Sequence, residues 1–217
     1  MKARVIHLPR HRERRDHIER QMEHAGFDWE FWPATDAQGL QRENFRGWLS
    51  GRHLDCPWMS QANGTAASCI SHLRLWHWLL GIFPDEGVAF VFEDDVEIRP
   101  HMARRWLEIR DELPVDWDFT FFSPHDDRCL DPRGRHSEHF HRLIRVEACP
   151  AVHAYAVNVR RLSVNLPKIL PLLEELDLHL ARRLAGLKLF VHGHPDWLAR
   201  AAPDMPSVRR EMDDSPS

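Results

Sequence analysis

Three consecutive carboxylates follow a continuous apolar segment near the middle of the chain. The segment reads VAFVF at residues 88–92, and Glu93, Asp94 and Asp95 come directly after it. A buried strand that ends in this way places its carboxylates at the carboxyl end of a sheet, where open α/β sheets bind ligands. Like charges repel one another unless a cation lies between them, and Mg²⁺ or Mn²⁺ binds both carboxylate and diphosphate oxygens. The pattern indicates a metal-bridged diphosphate site, while a solvated turn or a helix cap remains the alternative.

The segments around the triple predict an α/β fold, because short apolar segments alternate with segments of helical spacing. The first helix, for example, carries Ile18, Met22 and Ala25 at that spacing, and Gly26 ends it. Strands are predicted at residues 3–8, 29–35, 88–92, 118–122, 139–146, 153–158 and 187–191. Helices are predicted at residues 11–25, 40–49, 65–81, 100–112 and 160–186, the last broken by Pro167 and Pro171. Such alternation is typical of a mostly parallel sheet.

Composition limits the classes of protein that this chain can represent. Its 217 residues, 43% hydrophobic, suffice for one sizeable domain, and 29 basic against 33 acidic residues give no surface for nucleic acid. The four cysteines form no C-x-x-C pair, which disfavours a zinc ribbon or a disulfide framework. No apolar segment approaches the ~20 residues of a membrane span, and the first residues do not read as a secretion signal. We therefore expect a cytoplasmic protein with at most peripheral membrane association.

The motifs on either side of the triple resemble glycosyltransferase family 25, the group of lipopolysaccharide and collagen sugar transferases. VIHLPRHRERR is similar to the family's I-N-L strand followed by R-x-x-x-R, and the match falls on Ile6, Leu8, Arg10 and Arg14. The other matches are ATDAQGL to A-x-D-G, GTAASCISHLRLW to G-E-x-G-C-x-x-S-H-x-x-x-W, VFEDDV to L-E-D-D-V, HAYAVN to H-A-Y and ELDLHL to P-V-D. No single motif is diagnostic, but the matches keep one order from Ile6 to Asp177.

Several positions depart from the family pattern. They are His7 in place of Asn, Ala37 in place of Gly, Thr65 in place of Glu, Ala67 in place of Gly and Ser68 in place of Cys. Gly64, Ser71, His72 and Trp76 are retained. Because the acidic triple is intact, an active enzyme is favoured. A nucleotide-sugar or glycan-binding protein that kept the fold while losing the reaction is the alternative. A histidine-rich metallohydrolase ranks last, since no H-E-x-x-H motif is present.

The resemblance implies a GT-A-type, Rossmann-like α/β/α sandwich with a mostly parallel central sheet. Residues 1–200 would form this single domain, and residues 201–217 a mobile polar tail. The implied activity is the metal-dependent, inverting transfer of a hexose, galactose or glucose, from a UDP-sugar to a hydroxyl group. The acceptor would be a glycan such as lipooligosaccharide, and the cofactor Mn²⁺ or Mg²⁺.

The resemblance also assigns residues to the donor. Arg10 and Arg14, one helical turn apart, would face uracil or diphosphate, although a solvated helix face fits them equally. Asp36 would hold the uracil or ribose edge. Asp95 would bind the metal ion, while Glu93 or Asp94 would bind ribose and sugar hydroxyls.

Other candidates carry two interpretations each. Ser71 and His72 would lie at the donor or in the core. His194, two residues after His192, would complete the metal shell or lie on the surface. Asp177 would be the catalytic base, the N-cap of the following helix, or both.

The remaining candidates concern the base and the acceptor. Asp118, Asp126 and Asp127 are the other carboxylates considered for the base. Trp48 and Trp58 flank the irregular segment 51–63 and would face the acceptor.

Overall fold

The computed structural model describes residues 1–50, 63–82, 87–122, 143–146, 151–183, 186–192 and 198–205. The strands in these ranges are β1 Lys2–His7, β2 Asp28–Pro33, β3 Val88–Glu93, β4 Val96–Ile98, β5 Phe119–Phe121, β6 Leu143–Val146, β7 Ala154–Asn158, β8 Leu189–His192 and β9 Ala199–Ala201. The α-helices are α1 Arg12–Ala25, α2 Asn63–Ile82, α3 Met102–Ile109, α4 Val159–Ile169 and α5 Leu176–Arg183. Two 3₁₀ turns lie at Arg42–Phe45 and Arg110–Glu112.

Seven strands form the main sheet in the order β2-β1-β3-β7-β5-β8-β6. β1 pairs in parallel with both β2 and β3, and β5 pairs in parallel with β8. β7 and β6 run antiparallel to their neighbours, so five of the seven described strands point in one direction. The prediction of a mostly parallel α/β sheet is confirmed.

The sheet separates two apolar layers, because successive side chains of a strand point to opposite faces. In β3, Val91 packs into the layer of α2, α4 and α5, whereas Phe90 and Phe92 pack into the layer of α1 and α3. Trp76 lies at 0% exposure in the first layer and Trp106 at 2% in the second. Helices therefore cover both faces, which is the α/β/α arrangement expected from the sequence.

The first strand and helix fold as their sequence predicts. Ile18, Met22 and Ala25 of α1 are buried against the sheet, and Gly26 follows the helix with φ of 85°. This left-handed conformation is readily adopted by glycine, which has no Cβ atom to clash. The turn brings the chain back into β2 beside β1, so both strands end at the same edge of the sheet.

A two-stranded ribbon holds the segment after the acidic triple, and sequence reasoning missed it. β4 pairs antiparallel with β9 over Val96↔Ala201 to Ile98↔Ala199. The N–H of Ala202 also donates to the carbonyl of Asp95 at 2.8 Å. The ordered chain thus extends beyond residue 200 and forms one wall of the region around the triple, while residues 206–217 lie outside the described ranges.

The prediction that Pro167 breaks a helix is wrong. Pro167 lies inside α4, whose apolar face of Leu162, Leu166 and Ile169 is buried. Since the proline lies in the last turn, its missing N–H removes one hydrogen bond near an end that already frays. Pro171 does lie between α4 and α5. The predicted helix at residues 40–49 is likewise reduced to the single 3₁₀ turn at Arg42–Phe45.

Asp118 is a structural carboxylate, and its replacement should destabilise the fold. It is 1% exposed and accepts hydrogen bonds from Arg161 Nε at 2.9 Å, Asn165 Nδ2 at 2.7 Å and the N–H of Lys188 at 2.7 Å. Asp118→Ala leaves these donors unpaired and should lower the free energy of unfolding by on the order of 3 kcal/mol, measured by urea denaturation.

The neighbouring Asp116 is a matched control, because its ion pair with Lys188 at 2.6 Å lies at the surface. Asp116→Ala should leave the denaturation midpoint nearly unchanged. Equal effects of the two variants would contradict the structural role of Asp118. With its oxygens committed to these donors, Asp118 is not placed to act as a base.

Candidate active site at the carboxyl edge of the sheet

Polar side chains converge where β1 and β3 end and β7 begins. Ile6 and Glu93 are register partners at this edge, and the N–H of Glu93 donates to the carbonyl of His153 at 2.7 Å. A cleft of ≈ 390 Å³ opens here. Its carboxylates are Glu93, Asp94, Asp95, Glu175 and Asp177, and its basic side chains are Arg10, Arg14 and His153. The cleft therefore joins the acidic triple to the start of α5, two segments that are far apart in the sequence.

Asp94 is held from both sides by basic side chains. Its Oδ2 accepts a hydrogen bond from His7 Nδ1 at 2.7 Å, and its Oδ1 accepts one from Arg14 at 2.8 Å. All three residues are buried, with Asp94 only 6% exposed. Since both oxygens have donors within the protein, Asp94 fixes the end of β1 and the first turn of α1 to the end of β3.

The side chain of Asp95 is more exposed to the cleft than that of Asp94. Its Oδ2 lies 3.2 Å from the second terminal nitrogen of Arg14, and its side chain is 23% exposed. Desolvation, followed by the negative charge of Glu93, raises the pKa of Asp95 to about 6, against the opposing effect of Arg14. The charged form of this carboxylate is therefore less favoured than in a solvated aspartate, and perturbed pKa values of this kind cluster at functional sites.

Glu93 is tied to helix α2 and to the start of β7. Its Oε1 accepts from Ser68 Oγ at 3.3 Å and lies 3.3 Å from His72 Nε2. Its Oε2 lies 3.6 Å from His153 Nδ1, beyond ordinary hydrogen-bond distance. One oxygen thus faces the interior, and the other lies beside a histidine that lines the cleft.

The predicted nucleotide contacts lie at the end of β2. Arg10 is hydrogen-bonded to Asp36 Oδ2, and Asp36 Oδ1 accepts the N–H of Gln38 at 2.8 Å. Ser71 accepts the N–H of Thr35 at 2.8 Å. Arg10 and Asp36 are 35% and 41% exposed, so their pair can open toward a ligand.

Asp177 lines the cleft from the first turn of α5. Its Oδ1 accepts the N–H of the next residue, Leu178, at 2.8 Å. The helix already begins at Leu176, so Asp177 lies within its first turn instead of preceding it. A carboxylate at this position is favoured by the helix dipole and remains available to the cleft.

The contacts of the acidic triple determine which of its side chains could bind a divalent cation. Among the described residues, no group of three or more His, Cys, Asp or Glu side chains is arranged to hold a metal ion. Both oxygens of Asp94 are occupied, whereas Asp95 is available. Mg²⁺ commonly takes only one or two protein carboxylates and completes its shell with phosphate oxygens and water. Within the described ranges the side chains therefore fit one carboxylate ligand, Asp95, and the other positions would fall to the diphosphate, to water or to residues outside those ranges.

Some predicted residues lie away from the cleft or outside the described ranges. His194, Trp58, Asp126 and Asp127 lie outside the described residues. Trp48 packs on His77, with ring centroids 4.7 Å apart, and does not line the cleft.

Sequence reasoning gave no role to three residues that the fold brings to the triple: His7, Ser68 and His153. Two of them were visible as departures from the family pattern, His7 in place of Asn and Ser68 in place of Cys. His153 is the first residue of a predicted strand, but the antiparallel direction of β7, which brings it beside Glu93, cannot be inferred from that strand alone.

The fold is that of GT-A-type glycosyltransferases. The structure is similar to the crystal structure of a glycosyltransferase involved in the glycosylation of the major capsid of PBCV-1, with a TM-score of 0.50 and 13% identity. The similarity covers 98% of this chain and 96% of that one. At this identity the likeness concerns the fold.

The sequence defines the family. The model of glycosyltransferase family 25, described as LPS biosynthesis protein, matches residues 1–149, and the chain belongs to this family. A glycosyltransferase 25 family member of Aedes aegypti is 27% identical over 124 residues, or 54% of this chain. The matched part is 20% of that relative's length. The resemblance read from the ordered motifs is therefore confirmed.

No helix in the described ranges is both long and apolar enough to cross a bilayer.

Proposed function

We propose that this protein transfers a hexose, galactose or glucose, from a UDP-sugar to a hydroxyl group of a glycan such as lipooligosaccharide. The observation that carries the proposal is the shared cleft. Asp95 and Glu93 line one side of it at the end of β3, and Asp177 lines it from the first turn of α5. An inverting transfer needs this arrangement, with the diphosphate held on one side of the sugar and a base on the other.

The donor would bind along the edge formed by β1, β2 and β3. In this proposal Asp36 and Arg10 contact the uridine, and Arg14 offers positive charge near the diphosphate while it holds Asp94 and Asp95. Ser71 keeps the end of β2 against α2 through the N–H of Thr35. A divalent cation, Mn²⁺ or Mg²⁺, bound by Asp95 and completed by His194, would neutralise the leaving diphosphate.

The transfer itself is a single displacement. The acceptor oxygen forms a bond to the anomeric carbon as the bond from that carbon to the diphosphate oxygen breaks, and UDP leaves with the electron pair. Asp177 accepts the proton of the acceptor hydroxyl. The configuration at the anomeric carbon is inverted. We place this reaction in the cytoplasm, with at most peripheral contact to a membrane.

One observation favours a second candidate, a binding protein that retains the donor site without catalysis. The positive charge of Arg14 already lies between Asp94 and Asp95, and His7 occupies a position where the family pattern has Asn. These contacts neutralise part of the charge that a metal ion would otherwise balance.

A thermal-shift panel of nucleotide sugars, with and without Mn²⁺, tests donor binding without an acceptor. A donor at ~100 times its Kd adds ~2.7 kcal/mol of stability. Mn²⁺-dependent hydrolysis of the bound UDP-sugar would then separate the enzyme from the binding protein. A panel in which no nucleotide sugar raises the melting temperature would contradict both candidates.

Asp36→Ala should raise the KM for the UDP-sugar by about 10-fold with little change in kcat. The reason is that a contact to uridine is made equally in the ground state and in the transition state. Steady-state kinetics with varied donor give both constants. A large loss of kcat at unchanged KM would contradict the assignment.

Two variants control for local effects at Asp36. Asp36→Asn keeps an oxygen for the N–H of Gln38, which separates the loss of the turn from the loss of the charge. Asp28→Ala removes an exposed carboxylate at the start of β2, the strand that Asp36 follows, and should leave both constants unchanged.

A further inference from the structure

A buried chain of hydrogen bonds runs from the core to Glu93. Trp76, Tyr155 and His72 are each 0% exposed. The indole N–H of Trp76 donates to the hydroxyl oxygen of Tyr155 at 2.9 Å, and the same hydroxyl lies 2.9 Å from His72 Nδ1. His72 Nε2 lies 3.3 Å from Glu93 Oε1. The chain links α2, β7 and β3, the elements that meet at the back of the cleft.

The donor and acceptor properties of these three side chains allow one direction of hydrogen bonding. An indole nitrogen can only donate, so the hydroxyl oxygen of Tyr155 accepts at that contact. Its own proton is then available for His72 Nδ1, which accepts. The proton of the imidazole lies on Nε2 in that tautomer and is donated to Glu93 Oε1.

The environment of Tyr155 supports this direction. Complete burial raises the pKa of its hydroxyl well above the ordinary value, and the negative charge of Glu93 raises it further. The hydroxyl therefore keeps its proton and needs an acceptor. Among the described residues, His72 Nδ1 is the acceptor that lies at hydrogen-bond distance from the Tyr155 hydroxyl.

The result is a carboxylate whose inner oxygen, Oε1, is fixed by the core. Oε1 of Glu93 accepts from both His72 and Ser68, which fixes the plane of the group. Oε2 lies on the side of His153, 3.6 Å from its Nδ1, and Glu93 lines the cleft. A carboxylate that the protein already holds in one orientation loses less rotamer freedom when it binds a ligand hydroxyl.

We propose that Trp76, Tyr155 and His72 are positioning residues for Glu93 and fix the orientation of its carboxylate for a hydroxyl of the nucleotide sugar. The inference rests on the proposed function for the identity of the ligand. The direction of the hydrogen-bonded chain does not depend on it. His72 acts through Glu93 and does not itself touch the donor.

A double-mutant cycle tests the proposal through donor affinity. His72→Leu should raise the Kd or KM for the UDP-sugar about 10-fold, and Glu93→Gln should raise it at least as much. In the Glu93→Gln background, His72→Leu should have little further effect, because its action passes through that carboxylate. His72→Gln, whose amide N–H can replace Nε2–H, should recover most of the affinity.

A matched control addresses simple damage to the core. Thr120→Val also replaces a buried polar side chain by an apolar one, and Thr120 Oγ1 has no hydrogen-bond partner among the residues that the structure describes. Thr120 pairs with Ala156, so it faces the opposite side of the sheet from Tyr155. It should change donor affinity little. Additive effects of His72→Leu and Glu93→Gln would overturn the proposal.

The tautomer is measured independently of any ligand. Long-range ¹H–¹⁵N spectra of the full chain, with His72 assigned by its loss in His72→Gln, should show the proton on Nε2. Tyr155→Phe removes the group that selects this tautomer and should shift the His72 signals. A proton found on Nδ1 would contradict the proposed direction of the hydrogen bonds, even if the donor binds normally. If no nucleotide sugar binds the wild-type protein, the proposed function is wrong. The position of the His72 proton then tests the direction of the hydrogen bonds by itself.

Discussion

Asp177→Asn should lower the rate of glycosyl transfer by ~10²-fold or more, with donor affinity and melting temperature nearly unchanged. The asparagine keeps a carbonyl oxygen for the N–H of Leu178, so the first turn of α5 retains its hydrogen bond. It cannot accept the proton of the acceptor hydroxyl. The measurement is kcat for transfer with saturating donor, together with the donor Kd and the melting temperature of each variant.

Asp111→Asn provides the control for this change. Asp111 also lies in the first turn of a helical segment, but its side chain is 84% exposed and does not line the cleft. This variant should transfer at the rate of the wild type. Near-normal transfer by Asp177→Asn would instead move the role of base to another residue, with Asp126, Asp127 or a histidine as the next candidates.

Asp95→Asn should abolish the effect of Mn²⁺ on donor binding, the second large change that we expect. The loss of a negatively charged ligand weakens the metal ion and the diphosphate together. Donor binding measured by calorimetry with and without Mn²⁺ gives the size of the metal effect. An undiminished effect in the variant would show that Asp95 is not a ligand.

Asp94→Asn separates the two neighbouring carboxylates. Both oxygens of Asp94 are held by His7 and Arg14, so this variant should lose stability while the effect of Mn²⁺ on donor binding persists. The opposite result, normal stability with a lost metal effect, would exchange the roles of Asp94 and Asp95.

The raised pKa of Asp95 also predicts that the difference in unfolding free energy between Asp95→Asn and the wild type depends on pH. The folded protein keeps the proton up to a pH of about 6, whereas the unfolded chain releases it near the ordinary aspartate pKa of 3.8. Between these values the folded state binds more protons, so the stability of the metal-free protein falls as pH rises. Asp95→Asn cannot ionise and should be more stable than the wild type at about pH 7, but not at about pH 4. Urea denaturation at both pH values checks this, and a variant less stable at neutral pH would contradict it.

Much of the fold follows from local pattern. The alternation of β-branched segments with helical spacing depends on residues that are close in sequence, and it predicted the strand VAFVF and the helix that became α2. The acidic triple was placed at a strand end by the same reasoning, because a buried strand cannot continue through three adjacent carboxylates without partners. The ordered motifs predicted the family, which the comparison confirmed.

Other features depend on which segments meet, and the local pattern carries no such information. Nothing near Asp94 in the sequence indicates that His7 and Arg14 will occupy both of its oxygens. The short strands β4 and β9 have three residues each, and only their pairing across about a hundred residues makes them strands. Pro167 ends a helix by local rules, yet the buried face of α4 keeps it helical.

The sequence by itself determined the types of reactive group, the order of the elements and the family. The tertiary structure decided which oxygen of each carboxylate faces the cleft. It assigned both oxygens of Asp94 to the interior, turned one oxygen of Glu93 toward His72, and left Asp95 and Asp177 to the cleft. The physical reason is that hydrogen bonds and desolvation act over a few ångströms in space, between residues whose separation in sequence has no bearing on their distance.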